Sequence, residues 1–219
     1  MSVSRHDPPE LVTRRVRDVA LAVVGTAGAF GGIRVMEAFR PEVVADDAGP
    51  PDSAPPADRA GVTELPRAYF FSAGAIVASP VIAASVRLPR LCAPIGLAVE
   101  VGGIGLRVWA MRTLRGHYAR TLRVVDGQPV IREGPYRFVR HPGYLGVLLL
   151  WVGASLTARN AVAPVLALTA VGTAYQHRMD AEDALLRRDL PGYAEYAATT
   201  GRVLPRPSTI TVAAGRART

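Results

Sequence analysis

The residues best suited to chemistry lie in the segment Gly134–Gly146, GPYRFVRHPGYLG, which combines two arginines, a histidine and two prolines. It runs without a break into an apolar stretch, and Pro142 favours a helix that begins there, since proline is tolerated in a first helical turn. The start of such a helix offers backbone N–H groups and a partial positive charge, which suit a carboxylate. Tyr136 and Tyr144 add aromatic faces that can hold a purine or a cation. The segment therefore fits a polar ligand site at a membrane surface, and taken alone it fits an interfacial anchor equally well.

A second group of chemically useful residues follows the last apolar stretch. Arg178 and Glu182 are four positions apart, so on a helix they share one face. An ordinary surface ion pair, worth about 0.3–0.5 kcal/mol, would explain them. However, the preceding hairpin returns the chain to the loop at the membrane surface. There an arginine and a carboxylate could hold two oppositely charged ligand groups.

The composition favours a membrane protein. Of 219 residues, 49% are apolar and only 20% are charged, and the mean hydropathy is +0.19. The net charge of +8 comes from arginine alone, because the chain has no lysine. These arginines flank apolar runs, as cytoplasmic membrane anchors do, so we predict no nucleic-acid partner. The single cysteine excludes an internal disulfide, and we predict no metal site.

Five apolar stretches are candidates for membrane helices. They are Val19–Ile33, Ala68–Val86, Leu91–Met111, Tyr144–Leu156 and Ala161–Tyr175. A span needs about 20 residues, which the second and third stretches supply. The fourth and fifth are shorter and predict a helical hairpin that turns at Thr157–Asn160. The first is short and rich in glycine, and the Pro-rich segment Arg34–Arg67 predicts a disordered or extended linker.

The arginines also bear on orientation in the membrane. They are dense between Arg107 and Arg140 and again between Arg178 and Arg206, which predicts that both segments are cytoplasmic. With three spans before the loop, the arginine-rich N-terminus would lie outside, against the positive-inside rule. With two spans it would lie inside. We predict five helices, which leaves this conflict open.

The segment Val99–Gly105, VEVGGIG, superficially resembles the glycine-rich motif of Rossmann-type cofactor domains. In that motif an acidic residue follows about 20 positions later, whereas this chain has Arg120 there. Helix packing through small residues is the better interpretation. Glu100 lies within this apolar run, where a carboxylate is costly without a partner, and Arg107 is the candidate partner.

Together the motifs resemble the isoprenylcysteine carboxyl methyltransferase family, which belongs with the phospholipid methyltransferases among integral-membrane enzymes. The RHPxYxG pattern lies at Arg140–Gly146, and R-x-x-x-E-[ED]-x-x-L lies at Arg178–Leu186. G-Y-x-x-Y follows at Gly192–Tyr196 and L-P at Leu204–Pro205. The resemblance covers about Leu106–Pro205 and says little about the substrate.

This resemblance implies that the cofactor is S-adenosylmethionine. The cofactor-binding residues it implies are Gln128, Pro129, Val130, Ile131, Tyr136, His141, Pro142, Gly143, Tyr144 and Glu182. Arg178 matches the arginine that faces the methyl acceptor. For a phenol or amine acceptor, His141 is the candidate proton acceptor, because histidine is the side chain that most often exchanges protons near neutral pH. Asp183 stands where the family often has glutamate.

We therefore predict an all-α integral membrane protein with about five transmembrane helices and a cytoplasmic C-terminal cofactor-binding region. Residues 1–110 would form the N-terminal helices, the linker and the acceptor cavity, and residues 111–219 the catalytic region. The predicted function is methyl transfer to a lipophilic small molecule or prenylated acceptor, in the cytoplasmic membrane of a prokaryote. The alternatives are a phospholipid N-methyltransferase, a non-catalytic membrane scaffold and a nicotinamide-dependent enzyme resembling sterol reductases.

Overall fold

The computed structural model describes residues 8–39, 56–117, 124 and 127–206. Within these ranges the chain is helical and has no β-strand, only two isolated β-bridges. The α-helices are α1 (Pro8–Ala38), α2 (Pro56–Ile82), α3 (Cys92–Leu114), α4 (Pro142–Thr157), α5 (Val162–Asp189) and α6 (Tyr193–Thr199). Two short 3-10 helices, Arg115–His117 and Gly134–Arg137, lie between α3 and α4.

Three of these helices, α1, α2 and α3, are long and apolar enough to cross a membrane. The first apolar stretch therefore belongs to a helix of 31 residues rather than to a short segment. The linker prediction is wrong at both ends, because Arg34–Ala38 and Pro56–Arg67 are helical. Its centre, residues 40–55, lies outside the described part of the chain. The predicted hairpin is present: α4 ends at Thr157 and α5 begins at Val162.

Helices α3 and α4 pack through glycines that leave no room for side chains. A Cβ atom at Gly103 would lie 2.4 Å from the carbonyl oxygen of Gly146. Near the other end of the contact, a Cβ at Gly96 would lie 2.6 Å from the carbonyl oxygen of Gly153. Small residues at such positions allow two helix backbones to approach closely. Within Val99–Gly105, Gly103 therefore acts in helix packing, as the sequence predicts, whereas a Cβ at Gly102 or Gly105 would meet nothing within 4 Å.

Glu100 does not pair with Arg107, so that prediction is wrong. Glu100 is 2% exposed, and neither carboxylate oxygen has a hydrogen-bond partner. It packs against α1 at Gly28, where a Cβ would lie 2.5 Å from Oε1 of Glu100. Arg107 is seven residues further along α3 and donates instead from Nη1 to the carbonyl oxygen of Gly143, at 3.1 Å. The arginine thereby links a membrane helix to the first turn of α4.

We predict that Gly103→Ala destabilises the protein by about 1–3 kcal/mol, because the added methyl group overpacks the α3–α4 contact. Gly102→Ala is the matched control, since a Cβ at that neighbouring glycine meets nothing within 4 Å. Thermal unfolding in detergent, followed by tryptophan fluorescence, measures both. Equal midpoints for the two variants would show that the close approach at Gly103 does not limit packing.

Candidate active site

Asp183 on α5 is the centre of a buried network that joins four segments of the chain. Its Oδ1 accepts from the Tyr193 hydroxyl at 2.6 Å and lies 3.0 Å from Nε2 of His141. Its Oδ2 accepts from Nη2 of Arg140 at 3.0 Å and from Nε of Arg202 at 2.9 Å. The side chains of Asp183 and Arg140 are only 4% and 5% exposed. The network therefore fixes the loop before α4, helix α6 and the C-terminal segment against α5.

Backbone hydrogen bonds hold the loop in place beside this network. The N–H of Arg140 donates to the carbonyl of Gly201 at 2.8 Å, and that of His141 donates to Arg202 at 2.9 Å. The second guanidinium nitrogen of Arg140, Nη1, donates to the carbonyl of Ala197 at 2.9 Å. Pro142 then begins α4 in its first turn, as the sequence predicts. The loop is thus fixed by its backbone as well as by its charges.

The ionisation of Asp183 determines the tautomer of His141. Burial raises the pKa of Asp183, but hydrogen bonds from His141, Tyr193 and Arg140 outweigh that effect and hold the pKa well below its usual value. A carboxylate can only accept hydrogen bonds, so Nε2 of His141 carries a proton. In the neutral ring Nδ1 is therefore the acceptor. It lies 3.9 Å from Oε2 of Glu182.

Glu182, Tyr144 and Arg178 form the second part of the site. The Tyr144 hydroxyl donates to Oε2 of Glu182 at 2.5 Å and accepts from Nε of Arg178 at 3.1 Å. The ring of Tyr144 stacks on His141 with centroids 5.5 Å apart. Glu182 is 28% exposed at its side chain, so its carboxylate remains within reach of a ligand. The structure thus brings together four of the residues singled out in the sequence, which are His141, Tyr144, Arg178 and Glu182.

Of the remaining predicted cofactor residues, Pro142 and Gly143 lie in the first turn of α4 between His141 and Tyr144. The others precede this group in the sequence. Gln128–Ile131 has no helical structure, and Val130 packs against a small apolar cluster formed by Leu190, Tyr193, Tyr196 and Ala197. Tyr136 lies in the 3-10 helix Gly134–Arg137, and its carbonyl accepts from the Tyr196 hydroxyl at 2.6 Å. The described residues contain no group of three or more His, Cys, Asp or Glu that could hold a metal ion.

Sequence reasoning missed the residues that support the site. In the sequence, Asp183 and Arg140 are members of family motifs and Arg202 is one of many arginines, and nothing assigns these three residues to one network. Their roles depend on tertiary packing, which brings four donors, Arg140, His141, Tyr193 and Arg202, onto one buried carboxylate. The two tyrosines of the G-Y-x-x-Y motif were a usable signal, because a buried Tyr hydroxyl normally finds a hydrogen-bond partner.

A column of aromatic side chains leads from the site towards the membrane helices, through Tyr144, Tyr175, Tyr69, Trp151 and Phe30. The rings of Tyr144 and Tyr175 are 4.9 Å apart, and the hydroxyls of Tyr175 and Tyr69 lie 2.5 Å apart. Tyr69 stacks on Trp151 at 5.3 Å, and Trp151 meets the edge of Phe30 at 5.7 Å. This aromatic column joins α5, α2, α4 and α1.

Comparison with known proteins agrees with the motifs. The model of the isoprenylcysteine carboxyl methyltransferase (ICMT) family matches residues 96–188, which include α4 and the whole Tyr144–Arg178–Glu182 group. Over this region the chain resembles that family, and the resemblance predicted from the sequence is confirmed.

Two relatives illustrate the similarity. The chain is 34% identical over 113 residues to the cobalt-zinc-cadmium resistance protein CzcN of Cupriavidus metallidurans, covering 51% of this chain and 48% of that protein. It is 29% identical over 114 residues to a probable protein-S-isoprenylcysteine O-methyltransferase of Oryza sativa subsp. indica, covering 51% of this chain and 60% of that protein. The matched segment thus spans 48% and 60% of the lengths of these two relatives.

The fold also resembles a solved structure, that of the eukaryotic intramembrane Ras methyltransferase ICMT. The TM-score is 0.50 at 19% sequence identity, over 68% of this chain and 50% of the other. At this identity the likeness concerns the fold alone. With the three span-length helices, it confirms the predicted all-helical, integral-membrane fold.

We predict that Asp183→Asn destabilises the protein by about 3–5 kcal/mol, because it leaves the buried Arg140 guanidinium without an ionic partner. The pH dependence follows from the lowered pKa of Asp183. The ionised carboxylate stabilises the fold above its unfolded pKa of about 3.9, and this contribution is lost as the pH falls below that value. Chemical denaturation at pH 7 and near pH 3 should therefore show a smaller difference between wild type and variant at the lower pH.

Asp189→Asn is the matched control, since Asp189 lies on the same helix in an exposed pair with Arg188. This control should unfold like the wild type. If Asp183→Asn does so as well, Asp183 does not hold the network together.

Proposed function

We propose that this protein is a membrane methyltransferase that uses S-adenosylmethionine and acts on a lipophilic acceptor. The observation that carries the proposal is the contact chain Glu182–Tyr144–Arg178. It places a reachable carboxylate and a guanidinium on either side of one hydroxyl, at the start of α4 and inside the family-matched region.

The donor set fits the chemistry of the cofactor. S-adenosylmethionine carries an ammonium group, ribose hydroxyls, a carboxylate and a purine. The Glu182 carboxylate suits the ammonium or hydroxyl groups, and the partial positive charge at the start of α4 suits the carboxylate. Tyr136 and the segment Gln128–Ile131 would complete the cofactor site, together with His141, Pro142 and Gly143 beside Tyr144. When bound, the cofactor supplies an electrophilic methyl group that an acceptor atom can take up directly.

The residues of this chain contribute positioning rather than covalent chemistry. Arg178 would orient an acceptor carboxylate, which is already anionic at pH 7 and needs no base. Tyr144 is held by Glu182 and Arg178 from two sides, so a ligand at either residue is aligned with the other. Positioning of two reactants can contribute about 7–11 kcal/mol to lowering a barrier. If the acceptor is a phenol or an amine, Nδ1 of His141 would take its proton, because Nε2 already donates to Asp183.

The acceptor is proposed to enter from the bilayer. The aromatic column begins at Tyr144 and continues between the membrane helices, where an apolar tail would be desolvated. Each buried methylene group contributes about 0.8 kcal/mol, so a tail of this kind supplies much of the binding free energy. The carboxylate of a prenylcysteine-like compound is the first candidate, because the rice relative's name specifies O-methylation of isoprenylcysteine. The amine of a phospholipid is the alternative. In both cases we place the site at the cytoplasmic surface of the membrane.

We predict that the purified protein binds S-adenosylhomocysteine and not NADPH, and that Glu182→Gln weakens this binding at least tenfold. The loss of a hydrogen bond to a charged group typically costs about 1.5–3 kcal/mol, which corresponds to roughly 10- to 100-fold. The variant should remain folded, since glutamine can still accept from Tyr144. Calorimetric titration measures both ligands.

The control is Glu195→Gln, which neutralises an exposed carboxylate on α6 and should leave the affinity unchanged. Unchanged affinity in Glu182→Gln would remove Glu182 from the site. Binding of NADPH instead of S-adenosylhomocysteine would favour the reductase-like function, and binding of neither would favour a scaffold.

We predict that Arg178→Ala lowers turnover on the order of 100-fold. Removal of a single donor that stabilises charge in a transition state typically has an effect of this size in other enzymes. Its effect on S-adenosylhomocysteine affinity should be much smaller, because Arg178 serves the acceptor. Arg178→Lys should restore turnover only in part, since lysine lacks the planar, two-pronged donor geometry. Radiolabelled methyl transfer to S-farnesylcysteine and to phosphatidylethanolamine measures turnover.

Arg187→Ala, an exposed charge on the same helix, is the control for this variant. Equal losses of turnover and cofactor affinity in Arg178→Ala would show that Arg178 belongs to the cofactor site instead.

A further inference from the structure

A cavity rich in arginine lies at the end of the bundle opposite the candidate active site. It has a volume of about 260 Å³ and is formed by the start of α1, the end of α2 and the α4–α5 turn. Its lining residues are Leu11, Arg14, Arg15, Asp18, Pro80, Ala84, Arg87, Ala158, Arg159 and Asn160. The active-site loop precedes α4 and this arginine cavity follows it. The 16 residues of α4 place the two sites about 24 Å apart along the helix.

The floor of the cavity is held rigidly by hydrogen bonds between the turn and α2. Asn160 donates from Nδ2 to the carbonyls of Ser79 at 3.0 Å and Ala83 at 2.7 Å. Its Oδ1 accepts from the N–H of Val162, which caps the start of α5. Arg159 is 6% exposed and donates from Nη2 to the carbonyl of Leu88 at 3.1 Å. These contacts give the cavity a defined shape.

The charges in the cavity do not balance. Four arginines line it, and Asp18 is the one carboxylate among the lining residues. Asp18 accepts from Arg87 at 2.7 Å and from Nη1 of Arg159 at 3.4 Å. Outside the cavity, Glu10 pairs with Arg14. Even with Glu10 counted, four positive charges face two negative ones.

Two further observations indicate that a ligand is needed to complete this arrangement. Nε of Arg87 is buried and has no hydrogen-bond partner, although a buried N–H group is normally satisfied. Burial and the charge of Arg87 lower the pKa of Arg159, and Asp18 offsets this only in part, with Arg17 and Arg90 adding to the repulsion. An anion in the cavity would accept a hydrogen bond from Nε of Arg87 and would reduce the repulsion between Arg159 and the other arginines.

The surroundings of the cavity favour a lipid as the source of the anion. Leu11 lines the cavity and is 46% exposed, and on the same helix Val12 and Val16 are 61% and 63% exposed. Exposed apolar side chains beside a cationic cavity at the end of membrane-length helices suit an acyl chain joined to an anionic headgroup. The volume is slightly below that of pockets for drug-sized molecules, about 300–1,000 Å³, and so suits a headgroup alone.

We propose that the arginine cavity binds the phosphate of an anionic lipid headgroup, in the leaflet opposite the candidate active site. Arg14 and Arg15 reach the phosphate from α1, and Arg87 contributes its Nε from the loop between α2 and α3. Guanidinium groups bind phosphate strongly because their planar N–H donors match two of its oxygens. The site accounts for the orientation conflict in the sequence. The N-terminal arginines serve a lipid and are no signal for the cytoplasmic side.

The test uses the full-length protein in detergent micelles, with added phosphatidylglycerol, phosphatidylcholine or free glycerol phosphate. Lipid binding is measured by native mass spectrometry, and the unfolding midpoint is measured in parallel. Phosphatidylglycerol should bind and raise the midpoint more than phosphatidylcholine does, because the cavity has excess positive charge. Arg14→Gln/Arg15→Gln should weaken this binding by about tenfold or more. Neither residue holds the floor of the cavity, so the variant should fold.

The matched control is Arg34→Gln/Arg67→Gln, which removes the same charge from exposed positions of α1 and α2 outside the cavity. It should retain phosphatidylglycerol binding. If both double variants lose binding equally, the effect is general charge attraction and the cavity is not a site. If free glycerol phosphate stabilises the protein as well as the lipid does, the anion site stands but its assignment to a lipid is wrong. Equal binding of both lipids by all three proteins would overturn the proposal.

Discussion

The arrangement of the candidate site depends on one buried carboxylate, that of Asp183. It accepts hydrogen bonds from Arg140, His141, Tyr193 and Arg202, which come from three different segments around α5. A buried guanidinium without a counter-charge would be strongly unfavourable. Loss of the Asp183 carboxylate is therefore expected to disrupt the contacts of all four donors. This network determines the ring orientation of His141, and the stacked His141 ring in turn positions Tyr144. His141 and Tyr144, which would contact the ligand, are thus held in position by Asp183, whose carboxylate is not proposed to contact it.

The membrane helices are connected to this network through a few close contacts. Glycines at the α3–α4 interface bring the two backbones together. As a result, Arg107 of α3 reaches the carbonyl of Gly143 in the first turn of α4. On the other side, the aromatic column joins Tyr144 to α5, α2 and α1. Changes in the packing of the membrane helices therefore act on the same helix start that carries the site.

Charged side chains are concentrated at both ends of the bundle, but the balance of positive and negative charge differs between the two ends. At the candidate active site, buried cations have buried carboxylate partners, and the chain of contacts through Tyr144 ends in the reachable carboxylate of Glu182. At the opposite end, the arginines outnumber the acids, and Arg87 keeps an unsatisfied N–H. We propose that the first end positions a ligand of mixed charge and that the second binds an anion. If the N-terminal arginines bind a lipid as proposed, they do not indicate the cytoplasmic side, and the conflict in the positive-inside count is removed.

The sequence by itself determined the class of fold, and it singled out His141, Tyr144, Arg178 and Glu182, which the structure brings together in the candidate site. Apolar runs of sufficient length predict helices because an unpaired backbone polar group is costly in lipid, and the spacing of Arg178 and Glu182 places both on one face of α5. Local patterns also predicted the hairpin and the start of α4 at Pro142. The partners of buried charges were decided only by the tertiary structure. Glu100 faces Gly28 rather than Arg107, and Asp183 collects donors from residues up to 43 positions away in sequence. Such pairings depend on which helix faces meet across the bundle, and the one-dimensional spacing of residues does not contain that information.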